Sequence, residues 1–169
     1  SNGHVGGDGL AYCSASHPLR GGATFSNLMA AVSPSNTAVT TMLVTAAKLP
    51  SSNGLLTQGA YKLKGMVGPI EYEWRFREIL KSGQKDDTAN NAINALKSEG
   101  LSYTGVPHMA STTNWFGRTN VKRGALWVWR RKPRFRNESI PGNETKKYMG
   151  SARWTQGVTN VRTFVGVNI

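Results

Sequence analysis

Two periods of apolar residues alternate along this chain. Residues 1–30 carry neither. Gly3, Gly6, Gly7, Gly9, Gly21 and Gly22 punctuate them and His17-Pro18 disfavours helix, so a loop with short extended pieces is expected. A helix is predicted from Ser33-Pro34, because Ser suits an N-cap and Pro the first turn. Val39, Met42, Leu43 and Ala46 then recur at helical spacing to about Lys48. Thr40, Thr41 and Thr45 lower its intrinsic propensity, so packing must hold it, and Pro50 with the following SSNG ends it. Residues 60–67 switch to a period of two, with Tyr61, Leu63 and Val67 set against Lys62, Lys64 and Met66, which predicts a strand weakened by Gly65.

Pro69 opens a second predicted helix through about Lys81. Its apolar set is Ile70, Tyr72, Trp74, Phe76, Ile79 and Leu80, and Glu71 and Glu73 early with Lys81 late suit the helix dipole. A loop at 83–88 and a short helix at 89–97, with Ile93 and Leu96 inward and Gly100 as its stop, follow. Residues 101–106 and 113–119 read as strands around the turn-rich 107–112. Residues 124–136 read as a longer strand or strand pair broken at Pro133, and 137–145 as a loop. Residues 146–155 and 161–167 read as two further extended pieces. Two or three helices among six or so strands in mixed order predict an α+β fold, a mixed sheet flanked by helices.

Length and composition narrow this. The 169 residues suit one domain, able to bury roughly 70% of its unfolded surface without a disulfide or metal staple. Cys13 is the single cysteine, which excludes an intramolecular disulfide framework and a Cys-rich zinc site. No apolar run approaches the roughly 18–20 residues of a membrane helix, so no membrane partner is expected. The start, SNGHVGGDG, is not built like a signal peptide, and the missing initiator Met reads as a processed, trimmed or partial chain. Charged residues are 18%, below the roughly 25% usual in soluble proteins, while Ser, Thr and Asn number 42. Few charges and many small polar groups suit a surface that meets other protein.

The net charge of +12 is uneven. Residues 101–169 hold twelve basic residues against Glu138 and Glu144, a net +10. Within 118–136 lie Arg118, Lys122, Arg123, Arg130, Arg131, Lys132, Arg134 and Arg136 without an acid, interleaved with Trp115, Phe116, Trp127, Trp129 and Phe135. This pattern has two readings. In one, cations contact phosphates and release counterions while aromatics stack. In the other, the segment is a half-buried strand pair with Leu126, Val128 and Arg130 on one side and Trp127, Trp129 and Arg131 on the other. The aromatics are then core or interface, the reading preferred for them, and the arginines meet acids of a neighbouring subunit. Nucleic acid and protein acids stay open for the charge.

Catalytic chemistry finds little support. Cys13 and His17 lack an evident orienting group, and His4, His17 and His108 without clustered carboxylates make a poor metal set. Asp86-Asp87 suits a solvated loop or a cap. Neither GxxxxGK[ST] nor GxGxxG behind a strand occurs. Asn137-Glu138-Ser139 and Asn143-Glu144-Thr145 match the glycosylation pattern, which is common by chance. No enzyme, metal or cofactor is expected.

Several stretches, in order, resemble the major head (capsid) proteins of tailed bacteriophages, which share the Hong Kong 97-type fold. They are GDGLAYCSASHPLRGGATFSN at 7–27, LKGMVGP at 63–69, the helix ending ILKSG at 79–83, TANNAINALK at 88–97, NWFGRTN at 114–120, ALWVWRRKPRF at 125–135 and KYMGSARWTQGVTNVRTFVG at 147–166. The chain departs from the family in acids: Ala92 follows Asn91 where an Asp is usual, Thr113 and Asn114 precede the Trp-Phe pair, and Arg134 follows Pro133. The family's N-terminal arm, extended hairpin loop and spine helix have no counterpart here. The resemblance therefore implies the axial domain (61–119) and part of the peripheral domain or its junction (1–60 and 120–169).

It further implies a structural virion protein in the phage head, assembled in the host cytoplasm. Copies would form the hexamers and pentamers of an icosahedral shell around packaged double-stranded DNA, with decoration or portal proteins as further partners. Loops 83–88 and 107–113 would lie near the capsomer centre. Candidate subunit contacts are Asp86, Asp87, Trp115, Trp127 and Trp129. The cluster Arg118, Lys122, Arg123, Arg130, Arg131, Lys132, Arg134 and Arg136 faces DNA or a neighbour. The alternative from another class is a free-standing basic nucleic-acid-binding module using 115–136.

Overall fold

The structure, a computed structural model of the chain, describes residues 5–56, 59–85, 92–139, 142 and 146–167. Within them a mixed five-stranded sheet, with two α-helices packed into its core, makes the fold α+β. Strands His17–Pro18 (β1) and Thr24–Phe25 (β2) pair antiparallel as a small hairpin, and Leu28–Met29 (β3) enters the main sheet. Helix Asn36–Ala47 (α1), strand Leu63–Pro69 (β4), helix Glu73–Lys81 (α2), and strands Ser102–Val106 (β5) and Trp115–Thr119 (β6) follow. Ala125–Ser139 (β7), Lys146–Val158 (β8) and Phe164–Val167 (β9) complete the chain. The sheet order is β3-β9-β6-β4-β5, parallel at its two outer pairs and antiparallel inside.

The central strand β6 alternates, with Trp115, Gly117 and Thr119 buried and Arg118 exposed. Trp115 is wholly buried. Its indole N–H donates to the Val32 carbonyl (3.1 Å) and its ring meets Phe76 of α2 edge-on, while Phe76 stacks on Tyr103 at 4.3 Å. Beside it, α1 comes so close that a Cβ on Gly117 would lie 2.3 Å from the Met42 sulfur, so any side chain there would displace Met42 and Leu63. Val39, Met42 and Ala46 of α1, with Phe76 and Ile79 of α2, complete this core. It draws on residues 25–49, 63–80, 96, 115 and 165–167, so both stretches expected to belong to separate capsid regions contribute to it. Thr40, Thr41 and Thr45 of α1 donate their hydroxyls to carbonyls one turn back.

On the other side of β9 the N-terminal segment is held by Asn27. Its Nδ2 donates to the carbonyls of Tyr12, Val161 and Phe164, and its Oδ1 accepts from the Ser14 N–H (2.8 Å) and from His17 Nε2 (3.1 Å). His17 Nδ1 donates to Asp8 at 2.6 Å. Although partial burial pushes the Asp8 carboxyl up, hydrogen bonds from His17 and the Leu10 N–H hold it below its ordinary 3.8.

Several sequence expectations need correction. Helix α1 starts two residues later than Pro34, because Ser35 is the cap, its hydroxyl accepting from the Ala38 N–H. Pro69 ends β4, and a 3-10 turn at Ile70–Tyr72 precedes α2. Of the short helix expected at 89–97, residues 89–91 lie outside the described residues, and the described part holds a 3-10 turn at Ala95–Glu99. Asn94 donates its side-chain amide to the carbonyls of Ile79 and Ser82, and Ile93 beside it is 84% exposed rather than inward. Residues 161–163 form a 3-10 turn ahead of β9. Strand β7 runs unbroken through Pro133 to Ser139, into what was expected to be loop.

Two outcomes test this core. Trp115→Ala is expected to cost about 3–5 kcal/mol in urea unfolding, as for other buried aromatic truncations. The Asp8 contribution, from a carboxyl held low in the folded state, is fully present above about pH 4 and lost as pH falls through the folded value. Thermal melts from pH 7 to pH 3 should therefore show Asp8→Asn less stable than the native chain at neutral pH and flatter with acidification.

Candidate functional site

The sheet supports a two-stranded antiparallel ribbon, β7 with β8, that has no core of its own. Every described residue of β7 is exposed, and in β8 only Ala152 and Val158 are not. At roughly 3.3 Å per residue the strands reach about 40–50 Å. An isolated hairpin is marginal in water, so the foot must be fixed. The Gly124 carbonyl accepts from the N–H groups of Thr159 (2.9 Å) and Asn160 (3.2 Å), and the Thr159 hydroxyl donates to the Arg123 carbonyl. A Cβ on Gly124 would fall 1.4 Å from the Thr163 hydroxyl, so no other residue fits, and Arg123 takes the left-handed φ of 59° that this sharp entry requires.

Directly paired residues share a face, so the register sorts the side chains. Trp129 lies opposite Trp154, Trp127 opposite Gln156, Phe135 opposite Gly150 and Asn137 opposite Tyr148, all on one face. Val128 lies opposite Thr155, Arg131 opposite Arg153, Arg134 opposite Ser151, Arg136 opposite Met149 and Glu138 opposite Lys147, all on the other. Two register shifts in β7, between Trp129 and Arg131 and between Arg131 and Arg134, create this separation. A bulge sets two residues against one. The first therefore turns Arg131 away from the tryptophan face, beside Arg130. The second restores the alternation and contains Pro133, whose missing N–H then leaves no ladder bond unmade.

The aromatic face is a packed ladder. Trp127 stacks on Trp154 at 5.7 Å and 13°, and Trp129 meets both edge-on at 5.7 and 5.9 Å. Each such pair contributes about 0.5–1.5 kcal/mol. The three rings nevertheless stay 43–53% exposed, and Phe135 and Tyr148 extend the face outward. The opposite face carries Arg130, Arg131, Arg134, Arg136, Arg153 and Lys147. Glu138 is the one acid among the described residues of the ribbon. Arg131 and Arg153 stand directly opposite each other, a like-charge placement that destabilises a free ribbon. Arg131, Arg134, Arg136 and Ser151 line one shallow groove whose side Phe135 closes.

The structure thus gathers most of the candidate cations. Arg130, Arg131, Lys132, Arg134 and Arg136 are on the ribbon, and Lys122 and Arg123 are at its foot. Arg118 is apart, on the exposed side of β6. Trp115 is corrected: wholly buried, its side chain has no surface to offer another subunit. Trp127 and Trp129 are exposed rather than core. Asp86 and Asp87 lie outside the described residues. Arg153, Lys147, Trp154 and Tyr148 belong to the same two faces and were missed. Their signal was the alternation from Tyr148 to Gln156 across the Pro-Gly-Asn at 141–143 from a strand of matching length.

Among the described residues no three of His, Cys, Asp and Glu gather as a metal set, and no helix is long and apolar enough to cross a membrane. Cys13 packs under Gly166, and burial pushes its thiol up to about 12, so it supplies no thiolate at neutral pH.

Trp154→Ala should remove two of the three ring contacts of the ladder while sparing the core. Amide exchange at 126–130 and 153–157 is expected to accelerate at least tenfold, with the urea midpoint of the core shifted by less than the equivalent of about 1 kcal/mol. No model of a known protein family matches this chain, and no curated protein matches it in sequence.

Proposed function

We propose that this chain is a structural subunit of a bacteriophage head, a capsid protein of the Hong Kong 97 type. Copies would associate as hexamers and pentamers into an icosahedral shell around packaged double-stranded DNA, assembled in the host cytoplasm. The observation that carries this reading is the tryptophan ladder. Three large rings, held in place by one another, remain half exposed on a ribbon with no core behind it. Contiguous exposed aromatic surface of this kind marks a contact with other protein. On a repeating subunit it supports a heterologous contact, which closes into rings when the rotation between copies is right. The order of capsid-like motifs along the chain and its wealth of Ser, Thr and Asn agree with broad, hydrogen-bonded subunit contacts. Decoration or portal proteins are further partners in this reading, and the subunit has no catalytic role.

A second reading, a free-standing nucleic-acid-binding module, draws on Arg131 opposite Arg153, a pairing that an anion relieves. Light scattering and negative-stain microscopy separate the two. The shell reading expects capsomers or shells from the native chain and their loss in W127S, which keeps the Trp129–Trp154 contact that holds the ribbon, with far-UV circular dichroism retained. A monomer at all concentrations, binding oligonucleotides in a salt-sensitive way, contradicts it.

A further inference from the structure

We propose that the arginine face of the β7–β8 ribbon is a binding site for the phosphodiester backbone of double-stranded nucleic acid, engaged without reading its sequence. The inference deepens the shell reading by giving the enclosed duplex a contact, but its geometry stands without that reading.

Four observations converge on this occupant. First, most of the ribbon's cations are gathered by the backbone on one face, with Lys146, opposite Ser139, left on the other. The bulge after Trp129 sets Arg130 and Arg131 together against Arg153, and Arg134, Arg136 and Lys147 continue the row. Second, the row is unbalanced. Arg131 faces Arg153 with no acid beside them, and the acid on this face, Glu138, stands opposite Lys147 nearer the tip. A surface built this way lowers its own repulsion when a polyanion lies along it, and each neutralised phosphate releases counterions. Five of the six cations are arginines, whose planar forks take phosphate oxygens in pairs.

Third, the three tryptophan rings point the other way, although Phe135 borders the arginine groove. Proteins that hold single strands place stacking rings beside the cations so that bases and phosphates are bound together. Here the bulges carry Trp127, Trp129 and Trp154 to the opposite face, which selects a duplex whose bases are already stacked. Fourth, the side-chain amides that pair with adenine edges are on the other side. Asn137 and Gln156 share the aromatic face, and the arginine face offers only Thr155, Ser151 and Met149 between its cations. Contacts to phosphate position a protein without specifying sequence, and a two-stranded ribbon is narrow enough for the roughly 12 Å major groove to admit it.

The test is fluorescence anisotropy with labelled 20-base-pair duplexes of two unrelated sequences, a dT20 single strand, and poly-glutamate as competitor. The native chain should bind both duplexes alike and more tightly than dT20. R131S/R153S should weaken duplex binding about tenfold at moderate salt and reduce the salt slope by about 1.8, the value for two phosphate contacts. W127S, which leaves the Trp129–Trp154 contact to hold the ribbon, should leave duplex binding within about twofold of native. The proposal is overturned if R131S/R153S binds duplex as the native chain does or if dT20 binds more tightly with loss in the Trp variant. Poly-glutamate competing as well as duplex at equal charge would also overturn it, since that would assign the face to an acidic protein. Circular dichroism verifies that each variant is folded. Light scattering on the same samples reports assembly separately, so monomers that bind duplex would defeat the shell reading alone, and shells that ignore duplex would defeat this inference alone.

Discussion

Two strands, 125–139 and 146–158, must hold each other in place with no core behind them. Backbone pairing alone leaves such a ribbon marginal, and the side chains that stabilise it have to be its own. On one face Trp127, Trp129 and Trp154 supply that stabilisation by packing ring on ring. On the other, Arg131 against Arg153 works in the opposite direction. The ribbon is thus supported on one side and strained by charge on the other. Both sides are what a contact surface needs: a fixed apolar ladder to dock and a charged row that gains from a partner.

The compact part of the molecule serves that ribbon. Trp115 and Gly117 let both helices close over the centre of the sheet, and Asn27 ties the N-terminal segment to the turn at 161–164 through three carbonyls. That turn carries Thr163, against which Gly124 packs too closely for any side chain. The foot of the ribbon is therefore set by the same hydrogen-bonded unit that closes the core. A change at Asn27 or Thr163 reaches the ribbon through its foot without touching either of its faces.

Much of the fold was legible because its periods are local. Val39, Met42 and Ala46 at helical spacing, and Phe76, Ile79 and Leu80 ahead of Lys81, mark helices that the core does bury. What failed depended on pairing between distant residues. Ile93 looked inward by helical period, but Asn94 uses its amide on the carbonyls of Ile79 and Ser82 at the end of α2, and Ile93 is left exposed. Pro133 looked like a break because a proline lacks a donor, yet in a bulge of a two-stranded ribbon no donor is needed. The five tryptophans could not be sorted by type. Trp115 and Trp127 are alike in sequence terms, one before a Phe and the other before a Val in strand-like runs, and only the sheet around the first makes it core. The cations of 118–136 stood out at once, but their face did not, because one extra residue in a strand moves Arg131 to the opposite side.

The central claim is that the ribbon keeps its tryptophans and its arginines apart, on opposite faces. The most direct measurement is a two-dimensional amide and indole NMR titration of the isotope-labelled chain with a short duplex. The account predicts that arginine side-chain and backbone signals of Arg131, Arg134, Arg136 and Arg153 move together, while the indole N–H signals of Trp127, Trp129 and Trp154 stay where they are. Indole signals that shift along with the arginines would contradict it, because the two faces would then be acting as one.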